Sequence, residues 1–133
     1  MNNQAGPVDV NGRNPLKLFI WNVRGAGSRE FFNSLKEYIR SHRPAIIALL
    51  ETHISGRRAD DVCNRIGLQG RYRVEAQGFM GGIWILWDTS VLQVNILVAH
   101  PQFITMDVHR PGMLLWCFTA VYASPVAQYR EEL

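Results

Sequence analysis

The chain has 133 residues, one domain on the usual range of about 100–200 residues each. Apolar residues make up 47% and charged residues 19%, a globular balance that excludes intrinsic disorder. Basic residues outnumber acidic ones 14 to 11, for a formal +3, and every basic residue except Lys17 and Lys36 is arginine, whose planar fork suits phosphate. No apolar run reaches the roughly 18 residues a membrane span needs, so no membrane partner is expected. The start, Met1 to Pro7, has neither a basic n-region nor an apolar h-region, so no secretory signal is read and an intracellular location is expected. Cys63 and Cys117 are far apart and lack a CxxC partner, which gives no zinc site and no disulfide framework.

Residues 1–15, polar and rich in Asn, Gly and Pro, read as a flexible leader before a domain over 16–133. Leu16-Lys17-Leu18-Phe19-Ile20-Trp21 reads as a strand that ends at Asn22, and Gly25-Ala26-Gly27 breaks it. Ser28 stands at an N-cap position with Glu30 in the first turn, and Phe31, Phe32, Leu35, Tyr38 and Ile39 recur at helical spacing. Pro44 should stop this helix near His42-Arg43. Ala45 to Leu50 is apolar without alternation, the pattern of a strand buried on both faces, which period alone does not separate from a buried helix. Strand, helix and strand together form a βαβ unit, which makes the two strands parallel neighbours or near neighbours.

A second helix is expected from about Arg58 to Ile66, closed by Gly67. Five strand-like runs follow: Tyr72–Gln77, Gly82–Trp87, Val91–Ala99, Phe103–Arg110 and Leu114–Tyr122. Their breaks carry turn residues, and the spacing predicts an antiparallel meander or half of a sandwich. Gly81-Gly82 suits a tight turn that needs positive φ. The class is mixed α/β, with a parallel start and an antiparallel body. Trp21, Trp84, Trp87 and Trp116 lie inside apolar runs and are expected in the core.

Ligands in α/β sheets gather beyond the carboxyl ends of strands. Polar residues directly follow apolar runs at Asn22, Glu51 and Tyr122. Parallel first and second strands would open Asn22 and Glu51 into one crevice, where an amide oxygen and a carboxylate are hard ligands suited to Mg²⁺. The plainer reading of the same residues is a turn former and a solvated strand exit. His53 could touch phosphate or solvent. No GxGxxG, P-loop, HExxH or GxSxG motif occurs.

Four segments in order carry a resemblance: Phe19-Ile20-Trp21-Asn22-Val23-Arg24-Gly25, Ile46-Ile47-Ala48-Leu49-Leu50-Glu51-Thr52-His53, Gly81-Gly82-Ile83-Trp84-Ile85-Leu86-Trp87 and Ala120-Val121-Tyr122-Ala123-Ser124-Pro125. They resemble the N-terminal half of the endonuclease/exonuclease/phosphatase (DNase I-like) superfamily, shared by apurinic endonucleases and deoxyribonuclease I. More narrowly, the chain looks like the endonuclease domain of plant LINE-type (non-LTR) retrotransposons. The resemblance implies a four-layer α/β sandwich and a Mg²⁺-dependent hydrolase (Mn²⁺ as a substitute) acting on DNA phosphodiester bonds. Glu51 would bind the metal and Asn22 would organise it. Tyr122 would contact the scissile phosphate. Arg24, His53 and Arg130 would meet the nucleic-acid backbone.

Two departures qualify that implication. Arg24 stands where apurinic endonucleases carry an aspartate, which favours the retroelement branch. The family's Gly-Asp-Phe-Asn and Ser-Asp-His segments lie beyond the tyrosine strand and do not occur before Leu133, so this stretch alone is expected to be inactive and, with its sheets uncovered, prone to aggregate. The alternatives are a non-catalytic nucleic-acid-binding remnant of the same fold, whose binding would be salt-sensitive but Mg²⁺-independent, and a phosphatase-branch member.

Overall fold

The computed structural model describes residues 16–122; the expected leader and Arg130 lie outside the described residues. The chain order is β1 (Leu18–Asn22), α1 (Arg29–His42), β2 (Ile46–Leu50), α2 (Gly56–Ile66), β3 (Gly70–Val74), β4 (Ile83–Trp87), β5 (Gln93–His100), β6 (Phe103–Arg110) and β7 (Met113–Val121). These strands form a four-stranded sheet ordered β1-β2-β4-β3 and a three-stranded sheet ordered β5-β6-β7.

β1 and β2 pair in parallel, with Asn22 level with Leu50. The five later strands do not form one continuous body. β3 and β4 pair antiparallel, and β4 inserts beside β2 in the first sheet, while β5–β7 make the meander. Ten-residue spacing is shared by both groups, so periodicity could not separate them. Neighbouring runs pair locally whichever sheet they join.

Two cores explain the sequence patterns. Between the helices and the first sheet, Phe31, Leu35, Val62 and Ile66 pack on Ile47, Leu49, Trp84 and Leu86. Between the sheets, Ile46, Ala48, Ile83 and Ile85 meet Ile104, Met106, Val108 and Ala120. β2 and β4 thus contribute alternate residues to both cores, which is why their sequences lack polar alternation. β6 is buried on alternate residues, since only one of its faces meets the other sheet. Trp84 is fully buried, and Trp21, Trp87 and Trp116 pack at the core margins, as the apolar runs imply.

The layers are helices, sheet and sheet, three of the four expected, among the described residues. Leu18 and Ile20 lie level with Ile46 and Ala48, on the inter-sheet face, yet are 37% and 49% exposed. The three-stranded sheet does not extend far enough to cover β1.

Helix ends follow the local chemistry. Ser28 Oγ accepts the Phe31 amide hydrogen bond at 3.0 Å, and Arg43, in left-handed conformation, closes α1 before Pro44. Gly67 closes α2 at φ +87°, where a β-carbon would be strained. Lys36 Nζ donates to the Ile66 carbonyl at 3.2 Å and ties the two helices together. Ser28→Ala is expected to cost about 1 kcal/mol, read as a lower urea midpoint with an unchanged slope. An unchanged midpoint would remove the capping role.

Cys63 is buried and Cys117 exposed, and both are free thiols. No helix among the described residues is long and apolar enough to cross a membrane.

Candidate metal and phosphate site

The site is built at the carboxyl ends of β1 and β2. Val23 N donates to Leu50 O at 2.9 Å, then Gly25 N to Glu51 O and Ala26 N to Thr52 O, each at 2.8 Å. The parallel pairing therefore continues past both strands, and the Asn22–Ala26 segment runs beside Leu50–Thr52. On the other side, Thr52 N donates to Gly82 O at 3.2 Å and His53 N to Gly81 O at 2.9 Å. The Glu51-Thr52-His53 loop is thus held between the β1–α1 connection and the start of β4.

The backbone here is strained. Arg24, Glu51 and His53 have φ of +50°, +58° and +64°, a region costly for any residue with a β-carbon. Three of the four non-glycine residues with positive φ among the described residues fall in these two adjacent connections; the fourth is Arg43. In a regular strand Glu51 would point to the face opposite Leu50 and Asn22. The left-handed turn at Glu51 breaks that alternation.

Asn22 and Glu51 leave adjacent strand ends, Asn22 exposed and Glu51 half-buried. The His53 imidazole lies by Gly25, where a β-carbon would stand 3.8 Å from Nδ1. Tyr122 is buried just past β7, its amide bonded to Gln102 O at 2.8 Å. Its hydroxyl approaches Gly81, where a β-carbon would stand 3.5 Å away. Gly81 therefore links Tyr122 to His53, whose amide it accepts. Arg24 is exposed beside Gly25. The structure brings Asn22, Arg24, Glu51, His53 and Tyr122 onto neighbouring connections, and Arg130 lies outside the described residues.

Glu51 and Asn22 offer hard oxygen donors with access to solvent. That donor set fits a cation that keeps most of its water and takes one or two carboxylates, as Mg²⁺ does. It does not fit zinc, and among the described residues no group of three or more His, Cys, Asp or Glu side chains could enclose a metal.

Two features escaped sequence reasoning. Thr52 is fully buried and its Oγ1 lacks a hydrogen-bond partner among the described residues. Its position between Glu51 and His53 was the available signal. Phe79 is 85% exposed at the tip of the turn that Gln77 and Met80 close, on the connection that leads to Gly81. A lone aromatic flanked by Gly78 and Gly81 marks such a tip.

Behind the site, Arg73 Nε donates to Glu75 Oε1 at 2.7 Å and its guanidinium also binds Asp60. Glu75 accepts the Gly56 amide at 2.6 Å, anchoring the start of α2. Burial works against the Glu75 charge, but the Gly56 amide and Arg73 outweigh it and hold its pKa below the ordinary carboxylate value. A lowered folded-state pKa gives stability above the unfolded value and loses it as pH falls through the folded one. Glu75→Gln should therefore lower Tm at neutral pH and converge on the wild type as pH falls through the lowered folded-state value. A Tm difference independent of pH would contradict this linkage.

No protein-family model matches the chain, and no curated protein matches it in sequence. Among solved structures it is similar to an AP endonuclease from Leishmania major, with a TM-score of 0.61 at 15% identity. The match covers 82% of this chain and 40% of that one. The chain thus spans two-fifths of the length of the nuclease it matches, and the likeness shows that its described residues adopt a DNase I-like fold.

Proposed function

We propose that the chain is part of a Mg²⁺-dependent phosphodiesterase of the endonuclease type, of LINE-like retroelement origin. The observation that carries the reading is the placement of Asn22 and Glu51 at the carboxyl ends of two parallel, directly paired strands. The similarity to an AP endonuclease supports the same chemistry. Glu51 and Asn22 would hold the cation, which when bound supplies Lewis acidity to the phosphoryl group. Tyr122, whose hydroxyl lies by Gly81, would contact the scissile phosphate, and His53 would bind the same group. Arg24 meets the flanking backbone. Arg29, Arg58 and Arg65 gather around Gly27 and extend a basic surface that holds DNA without reading its sequence.

The retroelement assignment rests on Arg24 in place of an aspartate and on the four motif segments in order. Catalysis also requires a general base and a group to orient the nucleophile, which these residues do not supply; in the family both come from segments beyond the tyrosine strand.

The test is nicking of supercoiled plasmid by the longest polypeptide encoded with this chain. Nicking should require Mg²⁺ and disappear in Glu51→Ala. Full activity in that variant would overturn the metal assignment. Salt-sensitive DNA binding with no nicking, unchanged by chelation of Mg²⁺, would favour a non-catalytic binding module.

A further inference from the structure

The loop bearing Glu51 is gripped by backbone hydrogen bonds on both sides, but those bonds alone do not say why it stays in a strained path. The Thr52 side chain supplies the reason. It is fully buried beneath the turn that leads into β4, and its Oγ1 makes no hydrogen bond among the described residues. An unpartnered hydroxyl in the interior is unfavourable, so no side-chain hydrogen bond among the described residues holds it there. It is seated against Gly82. A β-carbon on Gly82 would collide with Thr52 Oγ1, and would also stand 3.3 Å from Ala76 Cβ and 3.4 Å from the Ala76 amide nitrogen. Gly82 has φ +93°, so its backbone too is one that side chains disfavour. The Thr52 side chain occupies the space that only glycine leaves open.

We propose that Thr52 and Gly82 form a positioning pair. The Thr52 side chain, wedged over Gly82, fixes the path of Glu51-Thr52-His53, and so places the Glu51 carboxylate and the His53 ring. Glu51 and His53 flank the wedge in left-handed conformation, and both would relax toward extended backbone if it were withdrawn. What the loop then binds rests on the function proposed above; the wedge itself does not.

The test compares amide hydrogen exchange in the full 133-residue chain with that in Gly82→Ala, Thr52→Ala, Thr52→Val and the Thr52→Ala/Gly82→Ala double variant. In Gly82→Ala and Thr52→Ala, the Gly25, Ala26, Thr52 and His53 amides should exchange about tenfold faster or more, while Ile47 and Ile85 stay protected. Thr52→Val keeps the shape and should exchange like the wild type. The double variant removes the atoms in the way of the new β-carbon and should exchange more slowly than Gly82→Ala. Unchanged exchange in both single alanine variants, or no recovery in the double variant, would overturn the pairing. Should Gly82→Ala not fold, Thr52→Ala against Thr52→Val decides the matter alone.

Mn²⁺ affinity, read by electron paramagnetic resonance with Glu51→Gln as the reference, supplies the second readout. Gly82→Ala and Thr52→Ala should each weaken binding toward that reference, whereas Thr52→Val should not. Unweakened binding in loosened variants would overturn the claim that the pair places Glu51. Wild-type binding no tighter than Glu51→Gln would instead defeat the metal reading, with exchange still deciding the wedge.

Discussion

Glu51→Gly is expected to abolish divalent-cation binding while making the chain more stable than Glu51→Ala by about 1 kcal/mol. Glu51 sits at φ +58°, where a residue with a β-carbon pays about 1–2 kcal/mol and glycine does not. Glycine also loses more conformational freedom on folding, which returns about 0.5–1 kcal/mol of that gain. The net effect against the wild type is a stabilisation of up to about 1.5 kcal/mol. Alanine keeps the strain and removes the ligand, so it isolates the two terms. Urea unfolding of the three proteins measures the ordering. Glu51→Gly less stable than Glu51→Ala would show that the loop is not strained as described. A strained residue retained at the proposed ligand position is the trade of stability for function that this reading expects.

The second large effect is in the helix-side core. Trp84→Ala is expected to cost about 3–5 kcal/mol, a large share of the 5–15 kcal/mol by which a domain is ordinarily stable. Trp84 is fully buried among Leu49, Leu86 and helix residues, so its removal leaves a cavity the flanking strands cannot close. Trp84→Phe should be far milder, within about 1.5 kcal/mol. The indole Nε1 is buried without a hydrogen-bond partner among the described residues, and phenylalanine removes that unmet donor along with some packing volume. Thermal melts of the two variants decide it. A phenylalanine variant as damaged as the alanine one would contradict this account of the Trp84 site.

Legibility in the sequence followed how local each signal is. The α1 boundaries were readable to within about a residue because Ser28, the Phe31/Leu35 stripe and Pro44 act within a turn or two. The β2 run announced burial on both faces, and both cores bear that out. Assignment of β3 and β4 to the first sheet was not readable, because insertion of β4 between β2 and β3 depends on contacts distant in sequence. At the site, strand ends pointed to Asn22, Glu51 and Tyr122. The positive φ at Arg24 and Glu51 left no trace, since neither residue type favours it, and a single histidine at His53 is too weak a signal to mark it. Gly81-Gly82 did signal positive φ, found at +70° and +93°, but not that Thr52 needs the space.

Mn²⁺ titration of the isotopically labelled chain, followed by paramagnetic broadening of its amide resonances, tests the shared cation site most directly. Signals from Asn22, Val23, Glu51 and Thr52 should broaden first, and Glu51→Gln should remove this selectivity. Earliest broadening around Asp60 and Glu75, or at Glu37, with Asn22 and Glu51 still sharp, would contradict a shared site.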